Sequence, residues 1–155
     1  MAIACLAAKK IRGTIRFTED GDRVHIDLDL VGFGRNQTHA MHIHEAGDLS
    51  EPSCAGACAH LNPYGKHHGG IDSKERHVGD LGNIRSDGQG CVRTRITDGM
   101  IRLRGFKRNI VGRSVVIHAD PDDNGLGGWP DSHTTGHAGA RIACAVIGYA
   151  KEMFV

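Results

Sequence analysis

The chain is expected to fold as an all-β sandwich or barrel of about eight short strands, and three observations support this. Apolar and polar residues alternate with period two in several segments, turn signals separate those segments, and helical periodicity is scarce. With 155 residues the chain fits one domain, spanning 1–155, with a core of its own. Hydrophobic residues make up 39% and aromatics only 5%, so Val, Ile, Leu and Ala must fill that core.

Taken in order, residues 1–8 are mildly apolar but too short, and without a preceding basic residue, for a secretory leader. The strand pattern is read from Lys9-Lys10 onward. Ile11, Gly13, Ile15 and Phe17 alternate with Arg12, Thr14 and Arg16, and residues 19–22 are a turn with Gly21 available for positive φ. Val24, Ile26, Leu28 and Leu30 alternate with His25, Asp27 and Asp29, a second strand with one wet face. Residues 38–44 are a third strand. A long irregular stretch follows to Asp80, uncommon in a compact domain unless it is functional or ligand-bound. Short strands are expected at 82–86, 91–96 and 100–104, then a buried one at 114–118 and a last one at 142–150. A second long loop, rich in Gly and Asp, runs from Asp120 to Ala140.

A net charge of +1 gives no electrostatic case for nucleic acid, and no apolar run approaches the roughly 20 residues that span a bilayer. Arg93, Arg95, Arg102, Arg104, Lys107 and Arg108 read as the wet face of a barrel, because no aromatics interleave with them for base stacking. Five cysteines, Cys5, Cys54, Cys58, Cys91 and Cys144, are an odd set without a repeating framework. That argues against a disulfide-dense secreted scaffold and makes free thiols the default. A cytoplasmic protein is expected, where the triplet at Asn36 is not glycosylated.

The chemistry is concentrated between residues 42 and 80. His42-Ile43-His44 places two imidazoles on one face of a strand, since side chains alternate there. His60, His68, His77 and Asp80 follow in irregular chain, and His118 ends the apolar run 115–117. An H-x-H alone is more often a hydrogen-bonding pair than a metal site. Six imidazoles and a carboxylate in this order are too many for one four-coordinate ion, so two metals are expected. His60, His68, His77 and Asp80 suit a closed zinc site. His42, His44 and His118 leave a nitrogen-only site that favours copper. One imidazole can serve both ions through its two nitrogens.

The strings Met41-His-Ile-His-Glu45, His60-Leu-Asn-Pro63, His68-Gly-Gly70, Arg76-His-Val-Gly-Asp-Leu-Gly-Asn83, Val111-Gly-Arg113, Val115-Val-Ile-His118 and Gly139-Ala-Arg-Ile-Ala-Cys-Ala-Val-Ile-Gly148 resemble the copper–zinc superoxide dismutases of the eukaryotic cytosolic type. They cover almost the whole chain in the family's order. The resemblance implies an eight-stranded Greek-key β-barrel, an immunoglobulin-like sandwich with two long functional loops. It implies disproportionation of superoxide to dioxygen and hydrogen peroxide by alternating reduction and oxidation of a histidine-bound copper, with protons from water and His60. Copper would take His42, His44, His60 and His118, and zinc would take His60, His68, His77 and Asp80, with His60 as the bridge. Asp122 matches the carboxylate that hydrogen-bonds one ligand of each metal, here His42 and His68. Arg141 matches the arginine that holds the incoming anion. His39 matches a structural position, while His25, His67, His133 and His137 are expected to be solvated or supporting. Cys54 and Cys144 match the family's disulfide, and a homodimer and a copper chaperone are the implied partners.

Three features depart from the family's pattern. No Lys or Arg lies between Ala119 and Ala140, where relatives usually carry lysines that draw the anion inward. Ala46 stands where a large aromatic is usual at the subunit contact. Cys58 is an additional thiol close to Cys54. Two rivals predict different residues: a copper-delivery protein would add C-x-C or C-x-x-C, and a storage or structural barrel would lose a copper ligand or Arg141. Neither departure is present.

Overall fold

The computed structural model describes residues 1–155. Its strands are β1 (Ala2–Ala7), β2 (Arg12–Asp20), β3 (Arg23–Val31), β4 (Thr38–His44), β5 (Asp80–Arg85), β6 (Cys91–Asp98), β7 (Ser114–His118) and β8 (Arg141–Tyr149). They form one antiparallel sheet in the order β5-β4-β7-β8-β1-β2-β3-β6. The sheet curls into a nearly closed barrel, and the crossings that seat β7 between β4 and β8 and β6 beside β3 give the expected Greek key. The only helical pieces are 3₁₀ segments at Pro52–Ala57 and Lys151–Phe154.

Alternation explains the register. On β3, Val24, Ile26, Leu28 and Leu30 are buried while the intervening residues face out. Ile15 and Phe17 of β2 meet Leu28 and Ile26 across the ladder. These residues join one apolar cluster that reaches Met41, Ile43, Ile117 and Ile147 on the opposite side. Outside, Arg93 and Arg95 of β6 pair with Asp29 and Asp27 of β3 at 3.1 and 2.6 Å. For Arg93 and Arg95 the basic alternation is thus a solvated cross-strand face, whereas Arg102, Arg104, Lys107 and Arg108 lie in the connection after β6.

Two expectations require correction. Residues 2–7 form a strand, which pairs with β2 and β8 and closes the sheet. Residues 100–104 do not form a strand: the Asp98 carboxylate accepts from the Met100 and Ile101 amides at 2.7 Å each and turns the chain out of β6. Arg102 then exchanges backbone hydrogen bonds with Arg108 and Ile110, so Ile101 and Leu103 are buried from a loop.

The long loop before β5 is fastened to β4 through its backbone. Ile43 N donates to Gly79 O, Leu61 N to Ile43 O, and Gly79 N to Leu61 O, at 2.9–3.0 Å. A Cβ at Gly79 would lie 2.1 Å from Ile43 O, so only glycine permits this approach. The Cys54–Cys144 disulfide pins the same loop to β8 across a sequence separation of 90. Closing a loop of that length contributes about 4–5 kcal/mol in the chain-entropy account.

Candidate metal centre

β4 delivers His42 and His44, and β7 delivers His118 from its last position. The backbone fastening brings His60 opposite His44 and holds His77 and Asp80 at the start of β5. All six histidines and Asp80 are buried, none more than 5% exposed. One atom from each of His42, His44, His60 and His118 lies within 4.8 Å of the others, and the same is true of His42, His60, His68 and Asp80. His77 joins the second group closely, its Nδ1 3.2 Å from both His60 Nδ1 and Asp80 Oδ1.

The hydrogen bonds fix which nitrogen of each ring is free. His44 Nδ1 donates to Cys58 O at 2.8 Å and His118 Nδ1 to Gly139 O at 3.1 Å, since a carbonyl only accepts. Their Nε2 atoms are then lone pairs, and they face each other at 3.4 Å. His42 and His68 each turn Nε2 toward Asp122, at 2.7 Å to its two oxygens. This leaves His42 Nδ1 buried without a hydrogen bond. His68 Nδ1 also lies 2.9 Å from Asp80 Oδ1. Lone pairs converging in a buried space repel one another unless a cation sits among them. An unpartnered buried polar atom costs about 1–3 kcal/mol by itself. The donor set therefore fits two metal ions.

Protonation divides the two groups. Burial pushes His42 down to about 3, with His60 nearby adding to the effect against Asp122. Burial and His60 hold His44 at about 2, and burial holds His118 at about 4. These imidazoles keep their lone pairs well into acid. For His68, burial disfavours the proton, but the carboxylates of Asp122 and Asp80 outweigh it and raise the ring to about 9. Burial would raise Asp80, yet hydrogen bonds with His60, His68 and His77 hold it far below the usual carboxylate range.

A cavity of about 350 Å³ opens onto this centre, lined by His44, His60, His118, Thr135, Gly139 and Arg141 among others. Arg141 donates to Cys54 O and Cys58 O at 2.7 and 2.6 Å, so its guanidinium is fixed at the rim.

A family model described as Copper/zinc superoxide dismutase (SODC) matches residues 11–147. The chain belongs to that family. Its reaction is the disproportionation of superoxide to dioxygen and hydrogen peroxide, and its cofactors are copper and zinc. It is 56% identical to a copper–zinc superoxide dismutase of Paramecium bursaria Chlorella virus 1, over 99% of this chain and 80% of that one. It is 46% identical to the Candida albicans enzyme over 90% of both chains, and 45% identical to an extracellular Drosophila melanogaster enzyme over 90% of this chain and 76% of that one. Among solved structures it is similar to the clock protein EA4, with TM-score 0.92 and 42% identity over 96% of this chain and 94% of that one.

Some supporting parts of the dismutase centre were not singled out from the sequence. Asn83 accepts from the Asp122 amide at 2.7 Å and donates to its carbonyl at 3.0 Å, clamping the second loop to β5. Arg76 donates to Asp80 O and to the Asp98 carboxylate, both inside the barrel wall. Gly136 packs against the Asp122–His68 contact. Asn83 and Arg76 stand in a quoted string but carry no metal-ligand signal of their own. Cys58 is a free, exposed thiol whose carbonyl serves both His44 and Arg141, with φ 63° and ψ −146°. His39 Nδ1 donates to His118 O at 2.9 Å, the structural tie expected of it. His25 bonds Thr97, His137 bonds Asp131, and His67 and His133 face each other with ring centroids 5.3 Å apart.

Proposed function

We propose that His42, His44, His60 and His118 hold the copper, and that His60, His68, His77 and Asp80 hold the zinc. The converging lone pairs at His44, His118 and His42, and the meeting of His60, His68 and His77 on the Asp80 carboxylate, carry this allocation. His42 has one nitrogen committed to Asp122 and one left, so it serves a single ion, and His77 takes its place in the second group. His60 turns Nδ1 toward Asp80 and His77, and its Nε2 faces the other way, so it is the one ring able to reach both ions.

Bound copper supplies a one-electron couple that oxidises one superoxide and reduces the next, and bound zinc supplies fixed positive charge. The chain's own residues do the rest. Arg141 holds the anion at the cavity rim, and His60 Nε2 would hand a proton to the product peroxide only when it is not engaged by copper. Asp122 fixes the orientation of His42 and His68 together, coupling the geometry of the two sites. In metal analysis of single variants, His118→Ala is expected to lose copper and keep zinc, and His77→Ala to lose zinc first. Loss of both metals in parallel from either variant would contradict the allocation.

The protein is further proposed to act as a homodimer through the face where Ile142 and Val146 of β8 stay exposed beside Leu49 and Ala7. Small residues there, Ala7, Ala8 and Ala145, would let a second copy approach with β1 and β8 at the centre of the contact. A monomeric mass for the metal-loaded protein at micromolar concentration would contradict it. A copper chaperone is proposed as the metal source, because the imidazoles that would hold copper are almost fully buried. Efficient loading from chelated copper without a carrier would argue against one. The exposed free thiols of Cys5 and Cys58 suit a reducing, cytoplasmic setting, testable by fractionation of producing cells.

A further inference from the structure

A second cavity of about 350 Å³ lies outside the metal centre, on the flank where residues 9–11 pass the connection between β3 and β4. Its polar lining comes from Lys9, Lys10, Gln37 and His39, and its apolar walls from Ile11, Phe33 and Ile142. The two lysines are exposed, whereas His39 is only 6% exposed. The His39 ring is half satisfied. Its Nδ1 must donate to His118 O, which makes Nε2 of the neutral ring an acceptor, and that atom is buried with no partner. The Phe33 ring rests against the imidazole, centroids 5.3 Å apart and tilted by 46°, and glycines 32 and 34 flank it in the chain. The Phe33 backbone is held, its amide donating to Gly90 O at 3.1 Å, but its side chain is only partly buried at the edge of the core, so a turn of that side chain alone lets another aromatic ring reach the imidazole.

We propose that this cleft binds a small hydroxylated aromatic carboxylate. Its ring takes the place of the Phe33 side chain against His39, among the apolar walls of Ile11 and Ile142, its hydroxyl donates to His39 Nε2, and its carboxylate meets the Lys9 and Lys10 ammonium groups. Each requirement follows from what the cleft lacks. The imidazole needs a donor, the lysines need an anion, and the space between them is apolar and within the range of small-molecule sites. The ligand sits one hydrogen bond from His118, so occupancy is transmitted to the backbone of that residue.

The test uses the metal-loaded protein with copper reduced, and therefore diamagnetic, titrated with 4-hydroxybenzoate and followed by amide NMR. The expected result is saturable shifts at Ile11, Gly32, Phe33 and Gly34, with a smaller one at His118, and a midpoint below about 1 mM. Benzoate, which lacks the donor, is expected to bind about tenfold more weakly. The double variant Lys9→Ala/Lys10→Ala, which touches neither metal site, is expected to lose affinity for both acids while its metal content stays unchanged. Equal affinity for the two acids, binding indifferent to the lysines, or absence of saturable shifts in the cleft would overturn the proposal. Shifts centred on Gly139 and Arg141 would do so as well, by placing the anion at the metal cavity.

Discussion

Two residues set the finest tolerances of the site. A Cβ added at Gly136, where φ is +69°, would lie 2.3 Å from Asp122 Oδ1 and 2.4 Å from His68 Nε2. Gly136→Ala must therefore push apart the contact that orients one ring of each metal group. The expected result is about a 10–100-fold loss of metal affinity, read by competition with a chelator, in a protein that still folds. Cys58 is the opposite case. Its φ and ψ fall where a side chain is strained, at a cost of about 1–3 kcal/mol, yet its carbonyl is needed by His44 and Arg141. Cys58→Gly keeps the carbonyl and relieves the strain, partly offset by greater freedom of the unfolded chain. A net gain of about 1 kcal/mol, or roughly 2–4 °C in Tm, is expected with turnover unchanged. A lower Tm would show that the thiol itself is stabilising.

At the scale of elements, the loop between β7 and β8 decides how the substrate arrives. No lysine or arginine lies between Ala119 and Ala140, and Asp131 on the cavity rim is bonded by His137 and Thr135. Arg141 is the single cation lining the cavity. Steering by charged walls is screened by salt, so this dismutase is expected to lose little rate between low and physiological ionic strength near neutral pH. A steep fall would show that more distant charges guide the anion. The elements also show where the sequence was legible. β2, β3, β4, β7 and β8 announce themselves by alternation or by an apolar run. β1 does not, because Ala2, Ala4 and Cys5 are small and six residues give little period to detect. Residues 100–104 alternate correctly but are claimed by the Asp98 turn, a tertiary contact that no local pattern carries. The buried histidine cluster was legible because residue type and order single out its members, and the structure brings them together. The pairing of Asp122 with two rings needed the resemblance, and the roles of Asn83 and Gly136 needed coordinates.

Over the whole molecule, the metal centre is a reservoir of strain that the barrel supports until the ions are bound. In the metal-free protein His42, His44 and His118 refuse protons until about pH 3, 2 and 4, whereas in the unfolded chain they accept them near 6.5. The unfolded state therefore binds more protons below 6.5, and stability falls as pH drops. His68 works in the other direction. Its folded value of about 9 gives stability that is fully present below 6.5 and lost as pH rises through 9. The metal-free protein is expected to be most stable near pH 6.5, falling more steeply on the acid side, where His60 is lowered as well and the depressed carboxylates of Asp80 and Asp122 add to the loss, against His68 alone on the alkaline side. Thermal unfolding across pH checks this, and a Tm that rose from pH 6.5 to 5 would contradict it.

The central claim is that two separate ions occupy two nitrogen-rich groups joined by His60. Anomalous scattering from crystals of the metal-loaded protein, collected at the copper and zinc edges, tests it most directly. The account predicts a copper peak among His42, His44, His60 and His118, and a distinct zinc peak among His60, His68, His77 and Asp80. A single mixed peak, or zinc bound by His42 in place of His77, would contradict it.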